Sequence, residues 1–156
     1  MLDVGKKAPA FTLLDQDGAK RKLSEFAGRW VVLYAYPKDD TPGCTREACD
    51  FTAGLAGFDA LDATVLGISR DTPESHARFA KKHGLKVTLL SDPDHAVLEA
   101  YGAWGEKVLY GKKSVGVIRS TVLVDPAGKV AHHWKNVKVD GHAEAVRAKL
   151  AELSGR

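Results

Sequence analysis

The chain has 156 residues, 44% of them hydrophobic, which suits one domain spanning 1–156 with a single well-filled core. Its 23 Lys and Arg against 20 Asp and Glu leave a net charge of +3, too mild and too scattered to argue for a nucleic-acid partner. The opening "MLDVGKKAPAF" lacks the apolar core of a signal peptide, and the longest apolar run, Trp30 to Tyr36, is seven residues against the roughly 20 that a bilayer demands, so a cytoplasmic protein with no membrane partner is expected.

In chain order, "FTLLDQDGAKRKL" predicts a β-hairpin turned at Asp-Gln-Asp-Gly. "SEFAG" predicts a short helical turn from Ser24 to Gly28. "WVVLYAY" is a continuous apolar run stopped by Pro37, the pattern of a central strand buried on both faces. After the loop "PKDDTPG", Cys44 to about Leu61 has helical composition. "TVLGISR" predicts a second buried strand. "TPESHARFAKKHG" predicts a helix, with Pro73 at its first position after Thr72 and His83-Gly84 at its end. "KVTLLSD" predicts a third strand and "DHAVLEAYG" a helix ending at Gly102. "STVLVDPAGKVAHHW" is the clearest hairpin, since Pro126 and Gly128 take the second and fourth places of a type I turn. "GHAEAVRAKLAEL" closes with a helix that carries Val146, Leu150 and Leu153 at helical spacing. Strands alternating with helices, then a late hairpin, imply an α/β fold. The order β-α-β-α-β-β-α is that of the thioredoxin-like class: a central mixed sheet flanked by helices, with an N-terminal hairpin.

Both cysteines lie in "TPGCTREAC". They could form a structural bridge, supply two metal ligands, or act as a reactive pair. In a reducing compartment a permanent bridge is disfavoured. Cys44 falls in or near the first turn of a helix, where unpaired N–H groups and a partial positive charge favour thiolate over thiol. Thr41, three residues earlier, is either an N-cap or a hydroxyl facing the same small cavity. On one regular helix the Cα atoms of Cys44 and Cys49 stand roughly 8–9 Å apart and point about 140° apart around the axis. A disulfide needs less than about 7 Å, so the pair can bond only if the helix opens. The alternative makes Cys49 a small buried hydrophobe. For metal, the cysteines lack the two-residue gap of a zinc knuckle and there is no second pair. None of His76, His83, His95, His132, His133 and His142 has ligand spacing near them. His132 and His133 adjoin on a predicted strand and so point to opposite faces. No metal is expected, and with no flavin or haem motif no cofactor is expected beyond the sulfur itself.

"YPKDDTPGCTREACDF" resembles the active-site segment of the peroxiredoxins, whose Pro, three residues, Thr, two residues, Cys signature is met by Pro37, Thr41 and Cys44. Thr-Pro-Gly-Cys-Thr with a second Cys five residues on is similar to the bacterioferritin comigratory protein group, also called PrxQ. "VGKKAPAFTLLDQDG" resembles the family's opening. "LLSDPDHAVLEAYGAWGEK" and "YGKKSVGVIRSTVLVDPAGKV" resemble its later segments, so the likeness covers nearly the whole chain. The resemblance implies a thiol peroxidase on a thioredoxin fold, acting on hydrogen peroxide and organic hydroperoxides. It makes Cys44 the peroxidatic residue, oxidised to a sulfenic acid, and Cys49 the resolving residue of an intramolecular disulfide. It makes Arg119, in "GVIRSTVLVD", the cation beside the thiolate. Guanidinium, Thr41 hydroxyl and Cys44 N–H would then bind peroxide and stabilise charge on the departing oxygen. It also implies thioredoxin or a similar dithiol as reductant, and a monomer.

Tyr36, Pro37, Gly43 and Glu47 are the candidate pocket residues. Tyr36 is either near the sulfur or a core aromatic. Pro37, with Pro42, shapes and shields the pocket. Glu47 is expected chiefly as a helix cap, its other reading being a hold on Arg119. Tyr101 and Trp104 read as packing, and "KRK" around Arg21 as a solvated hairpin arm. Two other functions use the same thiols. A disulfide reductase or redox sensor would exchange thiols without turning over peroxide. A non-enzymatic thiol module or holdase would keep its activity in Cys44→Ser.

Overall fold

The computed structural model describes residues 2–155. Strands β1 (Thr12–Asp15) and β2 (Lys20–Lys22) form the N-terminal hairpin. Its turn is closed by Asp15, whose Oδ1 accepts the backbone N–H of Asp17 at 2.8 Å and of Ala19 at 3.0 Å. The expected turn at "SEFAG" is a 3-10 helix, Leu23–Phe26, beginning one residue before Ser24. Strand β3 (Trp30–Ala35) carries the apolar run, and Pro37 prevents its continuation. Helix α1 (Pro42–Ala53) follows, with Pro42 at its first position, where a missing N–H costs nothing.

The helix expected as far as Leu61 is two helices. It breaks at Gly54, and α2 (Leu55–Asp59) starts at once. Gly is the weakest helix former after Pro, and the bend brings Phe58 within 5.8 Å of Phe51, ring to ring. Strand β4 (Ala63–Ser69) leads to α3 (Pro73–His83), which is capped by Thr72: its hydroxyl accepts the Ser75 N–H at 3.1 Å. Gly84, at φ 63°, ends it in the left-handed conformation that glycine tolerates best. Strand β5 (Thr88–Ser91) and α4 (Ala96–Ala100) come next.

A two-stranded ribbon not anticipated from the sequence follows: β6 (Trp104–Leu109) and β7 (Lys112–Val117), turned at Tyr110-Gly111, both with positive φ. It stands apart from the main sheet and, among the described residues, packs side chains against the core only at its base, Trp104 and Val117, too few for periodicity to reveal. The chain closes with β8 (Ser120–Val124), β9 (Val130–Trp134) and α5 (His142–Ser154).

The main sheet has the order β2-β1-β5-β4-β3-β8-β9. Pairs β3–β4 and β4–β5 are parallel and the rest antiparallel, a mixed sheet. The two-residue period of β3 splits its side chains between two cores. Val32 and Tyr34 join Phe51, Phe58, Phe79 and Leu150 on one face, while Val31, Leu33 and Ala35 join Leu66, Ile68 and Leu98 on the other. Each fully buried Phe or Leu contributes about 1.5–3 kcal/mol. Gly67 in β4 is required by this packing: a Cβ there would come within 2.8 Å of the Tyr34 ring and 2.9 Å of Leu89. This is the thioredoxin-like architecture expected from the element order, with the ribbon added.

Register places the site. Ala35 at the end of β3 pairs with Ser120 at the start of β8. The residue before β8, Arg119, therefore lies level with the residues that leave β3 toward α1.

Candidate active site

Cys44 is the third residue of α1 and only 2% exposed. Arg119 Nη2 donates to its Sγ at 3.2 Å, and Nη1 of the same guanidinium donates to Glu47 Oε1 at 2.6 Å. Cys44 and Glu47 are three apart on one helix and so share a face, which lets one planar cation bridge both. Arg119 is no surface charge: its side chain is 17% exposed. Burial works against its charge, but Glu47 and Cys44 outweigh that and it stays cationic. A Cβ on Gly43 would stand 3.3 Å from Nη2, so the glycine leaves room for the guanidinium.

Glu47 is not a helix cap. The helix begins at Pro42, which makes Glu47 its sixth residue, beyond the first turn where orphan N–H groups lie. It is 1% exposed and sits behind Arg119 instead of lining the open cleft. Burial pushes its carboxyl up to about 7, and Arg119 offsets only part of that. The atomic source is visible: Oε1 is paired with Arg119 while Oε2 has no partner among the described residues. His142 faces the same region. Burial, then the nearby Arg119 charge, pushes it down to about 4, so it is neutral near pH 7 and pairs through Nε2 with the Thr121 hydroxyl at 2.8 Å.

Thr41 is the N-cap by backbone position, but its side chain does not cap. Its hydroxyl donates to the Lys38 carbonyl at 2.9 Å, which leaves its lone pairs as acceptors. Tyr36 satisfies part of each expectation. Its ring lies in the same apolar cluster as Cys44, but its hydroxyl donates to Asp39 Oδ1 at 2.6 Å. Pro37 and Arg119 line an open cleft of about 610 Å³, with Val108, Ile118, Val137 and Lys138 among its other walls. One wall is thus built by the unanticipated ribbon.

Cys49 lies on the same helix as Cys44, partly exposed, and packs against the edge of the apolar cluster. Both thiols are free. Tyr101 and Trp104 pack as expected, Trp104 stacked on His95 with ring centroids 3.9 Å apart. The "KRK" arm is less solvated than expected, because Arg21 pairs with both Asp15 and Glu25.

Asp39, Asp71 and His76 were missed as a group; their ligand-type atoms lie within 4.8 Å of one another. Hydrogen bonds already occupy them. His76 Nδ1 faces Asp39, His76 Nε2 donates to the Leu90 carbonyl, and Asp71 Oδ2 accepts from the Asp39 N–H and the Ser69 hydroxyl. No spacing rule links residue 39 to residue 76, so only the fold could bring them together.

Comparison with known proteins agrees with this geometry. The AhpC/TSA family pattern matches residues 4–133. A Mycobacterium tuberculosis protein named as a peroxiredoxin is 50% identical over 150 residues, 96% of each chain. Peroxiredoxin Bcp of Bacillus subtilis is 42% identical over 153 residues, 98% of each chain. The solved bacterioferritin comigratory protein of Xanthomonas campestris, a protein with alkyl peroxide reduction activity, superposes with a TM-score of 0.91 at 43% identity, over 97% of this chain and 99% of that one. The chain belongs to the AhpC/TSA family, within its Bcp/PrxQ group of peroxiredoxins, and is a thiol-dependent peroxidase.

Proposed function

We propose that Cys44 is the peroxidatic thiol and Cys49 its resolving partner, in one domain that spans 1–156. The reading is carried by the 3.2 Å contact from Arg119 Nη2 to Cys44 Sγ, with Glu47 fixing the guanidinium from behind. A fixed cation against sulfur favours the thiolate, the form that attacks. The thiolate forms a bond to one peroxide oxygen while the O–O bond breaks. The departing oxygen takes a proton and leaves as water or alcohol, and Cys44 becomes a sulfenic acid. Arg119 and the first-turn N–H groups of α1 stabilise the charge that grows on that oxygen. Thr41, its own proton committed to Lys38, accepts a hydrogen bond from the peroxide hydroxyl. The Cys49 thiol then displaces hydroxide from the sulfenic sulfur, releasing water and forming the disulfide. An external dithiol, thioredoxin or one like it, reduces that bond and is itself oxidised.

Hydrogen peroxide and alkyl hydroperoxides are the proposed substrates; the apolar wall of Pro37, Val108, Ile118 and Val137 suits an alkyl group. The proposed working state is a cytoplasmic monomer. The deciding experiment is peroxide consumption with a defined dithiol, wild type against Cys44→Ser. Consumption lost in the variant is the expected result. Thiol exchange without peroxide turnover in the wild type would favour the reductase or sensor reading instead.

A further inference from the structure

The loop between β3 and α1 is riveted at one residue. Asp39 is 7% exposed. Its Oδ1 accepts the Tyr36 hydroxyl at 2.6 Å, and its Oδ2 accepts the Ser75 hydroxyl at 2.8 Å and faces His76 Nδ1 at 2.8 Å. Its backbone N–H donates to Asp71 Oδ2 at 2.9 Å. His76 is fully buried and donates from Nε2 to the Leu90 carbonyl in β5 at 3.0 Å. One loop residue is thereby tied to the end of β3, the loop after β4, α3 and β5. Asp40, held at φ 60°, adds a surface clasp to α3 through Lys82 at 2.8 Å and His83 at 2.7 Å. The next residue is Thr41, the N-cap of the helix that carries Cys44.

We infer that Asp39 and His76 are positioning residues for the peroxide site: their buried contact fixes the Lys38–Thr41 segment, and through it the Thr41 hydroxyl and the first turn of α1 around Cys44. The inference rests on Cys44 as the peroxidatic thiol. Several observations support it together. The network saturates every polar side-chain atom of both residues, which makes it rigid. Asp39 lies two residues from Thr41, too few for the backbone to absorb a displacement. The Thr41 hydroxyl is itself oriented by Lys38, the residue before Asp39. A misplacement of about 1 Å in a reacting geometry costs on the order of 10²-fold in rate. Neither residue touches the sulfur, so their effect on the reaction passes entirely through the loop.

The test compares wild type, Asp39→Ala, Asp39→Asn and Ser75→Ala, each confirmed folded by circular dichroism. Two rates are measured on Cys44: oxidation by hydrogen peroxide, and alkylation by iodoacetamide, which needs a thiolate but not the peroxide geometry. Asp39→Ala is expected to slow oxidation by about 10–100-fold while alkylation changes by less than about threefold. Asp39→Asn keeps an acceptor oxygen for the Tyr36 hydroxyl and places an amide NH2 where Oδ2 stood, on which the Ser75 hydroxyl oxygen can accept by rotating, so oxidation should recover to within about fivefold of wild type. Oxidation at the wild-type rate in Asp39→Ala, or oxidation and alkylation slowed alike, overturns the inference. If Asp39→Ala does not fold, Ser75→Ala decides: a loss of about two- to fivefold in oxidation alone supports positioning, and a wild-type rate refutes it. A wild type inert to peroxide is a different result, which removes the role of Cys44 and the inference with it.

Discussion

Cys44 sits in the first turn of α1, 2% exposed, with a guanidinium 3.2 Å from its sulfur; Cys49 lies five residues on, partly exposed, at the edge of the apolar cluster. The two thiols share one helix and one sequence neighbourhood, and local structure separates them only in that Cys44 lies in the first turn and Cys49 beyond it. Their difference comes from what the rest of the chain brings to each face. The Cys44 face receives Arg119, 75 residues away in the chain, which the helix's own Glu47 holds from behind. The lesson is that a helix can hold a confined thiol beside a cation and a near-surface thiol a turn and a half apart. The helix itself then becomes the part that must yield for them to meet.

The harshest way to break this comparison is Cys44→Ser. Turnover of peroxide should vanish, because a hydroxyl near neutral pH is scarcely ionised and attacks the O–O bond poorly. Retention of more than a small fraction of activity in a peroxide-consumption assay would erase the distinction between the thiols.

Arg119→Met asks whether the guanidinium makes the difference. A methionine fills similar space without charge, and an aligned donor is worth about 3–4 kcal/mol in the transition state, so stopped-flow oxidation of Cys44 should slow by about 10²–10³-fold. A change of only a few fold would reduce Arg119 to a packing role.

Glu47→Gln sharpens the same point through pH. The folded value of Glu47, raised by burial to about 7, stands above its ordinary 4.5. The folded protein therefore keeps a proton there that the unfolded chain has released. The contribution to stability is complete below about pH 4.5 and is lost as pH rises through about 7. His142 titrates with the opposite sign, losing stability as pH falls from its ordinary value toward about 4, but it is common to both proteins. The wild-type advantage over Glu47→Gln, measured by denaturant unfolding, should fall by up to about 3 kcal/mol between pH 4.5 and 8. A flat difference would mean that Arg119 keeps Glu47 ionised throughout.

Cys49→Ser should have the smallest effect on the first reaction. Oxidation of Cys44 should stay within about threefold of wild type, since the change is isosteric and partly exposed. The consequence appears afterwards: the sulfenic acid persists, and excess peroxide drives it to sulfinic acid, read by mass spectrometry. In the wild type, one equivalent of peroxide should raise amide exchange across residues 42–52 as α1 opens to let Cys49 reach Cys44. Helical protection that survives in a confirmed Cys44–Cys49 disulfide would sink the opening, and a disulfide between two chains would sink its intramolecular character.

Much of the site was legible because it is local. A strand stopped by Pro37, a Thr-Pro-Gly turn and a helix beginning at Pro42 all follow from short-range rules, and together they put Cys44 in a first turn. The misreadings have one physical origin, which is that a side chain's role is set by its partner. Glu47 looked like a cap because the cation it pairs with, Arg119, stands 72 residues away in the chain. For Thr41 the sequence leaves a cap and a cavity hydroxyl equally open, because its choice of Lys38 depends on how the loop folds. Arg119 was visible only through family resemblance.

Residue order alone therefore determined the strands of the main sheet, the helices at their ends, the turn at Pro126 and the placing of Cys44 and Cys49 on one helix, since hydrophobic period and turn chemistry act over a few residues. The tertiary structure decided the break at Gly54, the ribbon β6–β7 that walls the cleft, the meeting of Arg119 with Cys44 and Glu47, and the Asp39–His76 rivet. Each of these joins or depends on groups held together by the register of β3 with its neighbours and by the packing of α3 and α5 against the sheet. Contacts across 37 or 75 residues leave no periodic trace in the chain, because their geometry exists only once the sheet has formed.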